Sequence, residues 1–184
     1  MTIKWKDAGF IGNSPITANL RACMLDTGSL IEHLEQYSPE KISLTLEAQS
    51  WGKPHADESK ILHLRSGAYG LMRETFLTCG DRPWVYARTI IPPQTLQGSR
   101  RLVRWGNQPL GNYLFSDKLT YRGKIEIAEL KTSTTPYSPI YNLAIAEDST
   151  LWGRRSLFYI RNKPLLLTEI FLPEAIKCID TLKK

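Results

Sequence analysis

No apolar stretch in this 184-residue chain approaches membrane-spanning length, which excludes a transmembrane helix and stable membrane insertion. The first residues, MTIKWKDAGF, lack the apolar core of a secretory leader, so none is expected. Cysteine is scarce. Cys23, Cys79 and Cys178 lie far apart without CxxC spacing, which excludes a disulfide framework and a zinc signature. A reducing cytoplasm is the expected compartment. His33, His55 and His63 are not at ligand spacing and have no neighbouring Cys or paired carboxylate. Surface or capping roles are expected for them, and no metal. There is no GxGxxG or P-loop, so no nucleotide cofactor is expected, and there is no GxSxG elbow. Internal repeats, low-complexity tracts and linkers are also missing, which leaves one domain over residues 1–184.

What is present is an ordinary globular composition with a formal charge of +6. That charge favours anionic partners, either nucleic acid or a small acidic metabolite. The densest basic group, Arg100, Arg101 and Arg104, has helical spacing and reads as a solvated helix face. No nucleic-acid partner is therefore expected.

Local patterns divide the chain into short helices and hairpin-joined strands. Ser14-Pro15 opens a helix with Ile16, Leu20, Cys23 and Met24 on its buried stripe. Asp26-Thr27-Gly28 breaks it, and Ser29 with Glu32 starts a second. Ile42 to Ala48 alternates as a half-buried strand, and Trp51 to Lys60 reads as a polar loop in which Asp57 caps a short helical turn. Gly67 to Thr78 and Trp84 to Ile91 form a hairpin across Gly80-Asp81-Arg82-Pro83. Ser99 to Trp105 is a short basic helix, Pro109 opens another through Phe115, and Leu119 to Leu130 is a strand with Ile125 and Ile127 on one face. Ile140 to Ala146 fits helix or strand, and Glu174 to Lys184 is a terminal helix. The expected class is α+β: a single mainly antiparallel sheet of about six strands, with short helices packed on one face and closing an internal pocket.

The stretch Leu151 to Pro173 is central to this scheme. It predicts a hairpin: Leu151 to Ile160, a turn at Arg161-Asn162-Lys163-Pro164, and Leu165 to Leu172. The second strand is apolar on both faces, so both faces should be covered. Glu169 lies inside it. A carboxylate there must be paired, hydrogen-bonded or protonated. It is a candidate for acid–base chemistry, or else half of a structural ion pair with Arg154 or Arg155. Arg73 shares a mostly apolar strand face with Tyr69, Leu71, Thr75 and Leu77. A core-facing guanidinium suits a carboxylate bidentately. Its partner is either Glu169 or a bound carboxylic acid. Leu30 and Leu110 follow helix starts, and each supplies a first-turn N–H without an intrahelical partner.

The segments MRETFLTCGDRPWVYARTIIP, QPLGNYLF, IEIAE, LWGRRS and KPLLLTEIFLP, in that order, resemble the chorismate lyase (chorismate–pyruvate lyase) family from about Leu25 to Pro173. The resemblance implies cleavage of chorismate to 4-hydroxybenzoate and pyruvate, the first step toward the head groups of quinones such as ubiquinone or plastoquinone. It implies no metal, no cofactor, and a sheet with helices closed over an interior site; a monomer is expected. It also implies ligand contacts from Arg73, from Glu169 and from the backbone at Leu110 and Leu30, with Arg73 and Glu169 serving catalysis. Lys131 to Ser149 looks like an insertion before LWGRRS and is expected as a surface loop. Arg88 is expected along the route between pocket and solvent. Two alternatives stand: a non-catalytic small-molecule-sensing domain of similar fold, as in some transcription regulators, and a nucleic-acid binder suggested by charge.

Overall fold

The computed structural model describes residues 3–10, 16–98, 102, 108–116, 118–143, 145 and 148–181. The strands are β1 (Lys6–Asp7), β2 (Ile42–Gly52), β3 (Gly70–Cys79), β4 (Arg82–Ile91), β5 (Thr120–Lys131), β6 (Thr150–Ile160) and β7 (Lys163–Phe171). They form one sheet in the order β1-β5-β6-β7-β4-β3-β2, with every pairing antiparallel. The six expected strands are present, and β1 adds a two-residue edge near the N-terminus. β7 is the middle strand, as its apolar character on both faces requires.

Two turns are tighter than the sequence suggests. Arg161 and Asn162 alone join β6 to β7, both with positive φ, 49° and 63°. That is the left-handed geometry of a two-residue turn, whose twist matches the flanking strands. Gly80-Asp81 likewise suffices between β3 and β4, with Gly80 at φ 56°. The extra residue appears in β4 instead, as a bulge at Trp84, since Leu77 faces Val85 while Thr78 faces Pro83. β2 runs on past Ala48 to Gly52 after a bulge at Glu47.

The helices are α1 (Ala18–Leu25), α2 (Leu30–Glu35), α3 (Ala56–Ile61), α4 (Pro93–Gly98), α5 (Leu110–Ser116), α6 (Ser138–Tyr141) and α7 (Pro173–Thr181). Thr17 caps α1 and Ser29 caps α2, each side chain accepting from a first-turn N–H. The Ser14-Pro15 start and the basic helix at Ser99 to Trp105 lie outside the described residues, except that Leu102 is buried.

On one face of the sheet the helices form two separate apolar clusters. Leu20, Cys23, Met24 and Leu34 from α1 and α2 meet Trp84, Val85 and Phe171, with Ile179 of α7. Leu96 of α4 and Leu110 and Leu114 of α5 meet Leu71, Phe158 and Leu165. Between these clusters lies a polar stretch of sheet, and that gap is the pocket.

The opposite face is covered too. The insertion is not a free surface loop: Tyr137 and Ile140 pack on Phe76, Tyr86 and Ile170. Its Ser/Thr/Pro content hides two large apolar side chains aimed at the sheet. Of the described residues from Ile140 onward in that segment, only Ile140 and Tyr141 are helical, as the end of α6. α3 covers the rest of this face, with Leu62 just after it on Ile90 and Leu166. The Trp51 to Lys60 loop thus contains a full helix, capped at His55, with Glu58 buried beneath it.

Candidate functional site

The pocket floor is the sheet and its walls are the first turns of α2 and α5. Arg73, Thr75, Ala87, Thr89, Leu167 and Glu169 come from β3, β4 and β7; Arg154, Phe158 and Arg122 come from β6 and β5. Gly28 to Ile31 form one wall, and Pro109, Leu110, Gly111 and Leu114 the other. Measured out to its mouth, the hollow is about 610 Å³, open solvent included.

All four residues singled out in the sequence, Arg73, Glu169, Leu30 and Leu110, line this one hollow. Strand register explains the first two. Arg73 faces Thr89, which faces Leu167; Thr75 faces Ala87, which faces Glu169. Residues directly opposite in a sheet share a face. Arg73 and Glu169 therefore stand on the same side, two strands apart and one pleat offset. Both are buried, at 3% and 7% exposure. The cap at Ser29 and the proline at Pro109 start α2 and α5 at the pocket rim, so Leu30 and Leu110 carry first-turn N–H groups there.

Arg73 does not pair with Glu169. Its Nη2 donates to the Gln108 carbonyl at 2.9 Å, tying the approach to α5 onto β3. Burial lowers its pKa from the usual guanidinium value. Glu169 takes the other predicted partner: its Oε2 accepts from Arg154 Nε at 2.6 Å. Arg155 belongs to the opposite face, where it donates to Glu126 at 2.7 Å and to Asp57 at 2.9 Å. Arg154 Nη1 also donates to the carbonyls of Cys23 and Asp26, at 2.8 and 2.9 Å. One guanidinium thus orients the carboxylate and holds the α1–α2 turn over it.

Arg122 is a site residue that pattern reading missed. Alternation from Ile125 and Ile127 puts Arg122 on the wrong face. A bulge corrects this: Ile125 faces Ser156 while Arg122 faces Phe158, three residues against two. Gly123, inside the strand, was the available signal. Arg122 Nε donates to Ser156 Oγ at 2.9 Å and Nη1 to the Asp26 carbonyl at 3.1 Å. Its Nη2 stands 4.0 Å from Glu169 Oε2. Burial first, and repulsion from Arg154 second, press its pKa down to about 10, against the pull of Glu169.

The α1–α2 turn has its own brace. Asp26 Oδ1 accepts from the Gly28 N–H at 2.8 Å, and Oδ2 lies 2.8 Å from His33 Nδ1. Burial pushes the Asp26 carboxyl upward, but the Gly28 N–H and His33 outweigh it, and the net direction is down. His33 is therefore a partner inside the fold, not a surface residue; His55 does cap α3, and His63 is exposed.

Arg88 does not lie along the pocket's route to solvent. In register with Glu74 and Thr168, it points to the opposite face. There Glu58 accepts from its Nε at 2.9 Å and Glu74 from its Nη1 at 2.7 Å. Among the described residues, no group of three His, Cys, Asp or Glu is placed to hold a metal, and no helix is long and apolar enough to cross a membrane.

The effector domain of PhnF from Mycobacterium smegmatis superposes with a TM-score of 0.58 at 16% identity, over 82% of this chain and 91% of that one. The C-terminal domain of the histidine utilization repressor from Pseudomonas syringae pv. tomato gives 0.53 at 10% identity, over 73% and 93%. At such identities the likeness is one of fold. In sequence, a probable chorismate pyruvate-lyase of Methylococcus capsulatus is 34% identical, across 85% of this chain and 96% of that protein. The chorismate pyruvate-lyase of Pectobacterium atrosepticum is 35% identical, across 83% and 76%. The family model described as chorismate lyase matches residues 2–178. On that match, and on relatives alike over three quarters or more of their length, the chain belongs to the chorismate lyase family.

Proposed function

We propose that this chain cleaves chorismate to 4-hydroxybenzoate and pyruvate without a cofactor. The observation that carries the reading is one hollow with Arg73 at one end of its floor and Glu169 at the other. An aromatic acid with polar groups para to each other can bridge them. Arg73 and the Leu110 N–H bind the ring carboxylate, and the Leu30 N–H contacts the ligand from the facing wall. Glu169, oriented by Arg154, meets the ring hydroxyl.

The chemistry asks for little beyond orientation. The ether bond at the ring carbon next to the hydroxyl-bearing carbon breaks, and that second carbon loses its hydrogen. The ring becomes aromatic, and the enolpyruvate takes up a proton at its methylene to give pyruvate. A downhill step of this kind is accelerated chiefly by positioning. Two routes serve the proton: relay through Glu169, or direct cyclic transfer to the methylene. Substrate deuterated at the hydroxyl-bearing carbon separates them, since direct transfer carries the label into the pyruvate methyl group.

The product suits the head group of a quinone, and we place the reaction at the start of that synthesis. We also read the chain as a single-domain cytoplasmic monomer that binds no nucleic acid; sedimentation tests the monomer. The decisive assay is addition of chorismate with ultraviolet detection of 4-hydroxybenzoate. The likeness to regulator effector domains favours a second reading, a sensor of the same fold. It requires chorismate or 4-hydroxybenzoate to bind and remain unchanged.

A further inference from the structure

Among the described residues, the ionisable side chains lining the pocket are three guanidiniums, Arg73, Arg122 and Arg154, and one carboxylate, Glu169. A lining so rich in guanidinium favours an anionic occupant. The Asp26 carboxylate faces Gly28 and His33, and only its carbonyl turns toward Arg122 and Arg154. Arg154 is engaged by Glu169 and two carbonyls. Arg122 is held through Nε and Nη1, which fixes the direction of Nη2, and Nη2 is beyond hydrogen-bonding distance of Glu169 at 4.0 Å.

We propose that Arg122 seats the second carboxylate of a dianionic substrate, the one on the enolpyruvyl arm, and so distinguishes substrate from product. This rests on the reading of the site as a chorismate lyase. With the ring carboxylate at Arg73 and the ring hydroxyl at Glu169, the enolpyruvyl arm leaves the ring one carbon from the hydroxyl. Its carboxylate falls on the Glu169 side of the pocket, where Arg122 stands. Ser156 and the Asp26 carbonyl hold the guanidinium in that direction before any ligand arrives. Phe158, 5.1 Å from its carbon centre, lies against its flat face. Cleavage releases the arm, and the aromatic product keeps its contacts at Arg73 and Glu169 but has no carboxylate for Arg122.

Two ligands test this: 4-hydroxybenzoate, with one carboxylate, and 3-(carboxymethoxy)benzoate, with a second on an ether arm. In Arg122→Gln the dicarboxylate should bind about 30-fold more weakly, the loss expected for one charged hydrogen bond, while 4-hydroxybenzoate affinity changes less than about twofold. KM for chorismate should rise with the dicarboxylate constant. Equal weakening of both ligands would mean a merely structural role, and an unchanged dicarboxylate affinity would mean no role; either overturns the proposal. If Arg122→Gln does not fold, Arg122→Lys carries the same comparison with a shorter cation. Wild-type protein that discriminates the two ligands through Arg122 but leaves chorismate intact would refute the lyase reading alone.

Discussion

Arg73 and Glu169 leave different things behind when they are removed. Arg73→Ala takes away the guanidinium at the Leu110 side of the pocket, so a carboxylate ligand loses its cation. Affinity for 4-hydroxybenzoate, read by calorimetry, should fall at least tenfold, since a charged hydrogen bond contributes about 1.5–3 kcal/mol. Unchanged affinity would contradict the assignment. Glu169→Gln keeps shape and an acceptor but strips the charge from beside Arg154, which is 1% exposed. Turnover should drop about a hundredfold or more, while product affinity shifts far less. The same variant should melt earlier, because breaking a buried ion pair costs about 3–5 kcal/mol. Activity must therefore be compared at temperatures where both proteins are folded.

Among the elements, the α1–α2 turn and α3 behave oppositely toward the pocket. The turn forms part of its wall and is braced by Asp26, whose carboxyl is held below its ordinary value. A depressed carboxyl adds stability that is complete above its unfolded pKa of about 3.9 and is lost as pH falls through its lower native value. Urea melts of wild type and Asp26→Asn should therefore differ most above about pH 4 and converge in stronger acid. α3 lies behind the sheet, and its Glu58 anchors Arg88 there. Glu58→Ala should destabilise by about 3 kcal/mol, the low end for a broken buried pair, because Glu74 still holds Arg88. Replacing both partners, Glu58→Leu with Arg88→Met, should cost less than the single change. Chorismate KM should be unaffected in each folded variant, since neither side chain reaches the pocket.

For the molecule as a whole, covering the sheet on two sides separates stability from chemistry. Tyr137 and Ile140 seal the face away from the pocket and are about 2% exposed. Ile140→Ala should cost about 2–5 kcal/mol, as large-to-small changes in a core do, yet leave KM for chorismate unaltered. A rise in KM would mean that the two faces are coupled through the sheet. The charged residues divide in the same way. Arg73, Arg122 and Arg154 face the ligand side, while Arg88 and Arg155 are neutralised behind it by Glu58, Glu74, Asp57 and Glu126. A formal charge of +6 therefore says little about partners until the faces are known.

The pattern of side chains along single strands was enough to identify the middle strand, to put Arg73 on the face of Thr75, and to mark Glu169 as a carboxylate needing a partner. Those conclusions rest on period-two alternation, which is local. Helix starts at Leu30 and Leu110 were legible for the same reason, from a serine cap and a proline. What stayed hidden depends on pairing between distant segments. A bulge at Gly123 turns Arg122 into the pocket, and alternation cannot foresee it. The choice of Arg154 over Arg73 as the partner of Glu169 follows from β6 lying directly beside β7, while β3 lies one strand further off. The position of Arg88 behind the sheet, and of the insertion on its far face, likewise follows from which strands and helices meet. A sequence shows which side chains share a face of one strand; only the assembled sheet shows which strands, and which charges, become neighbours.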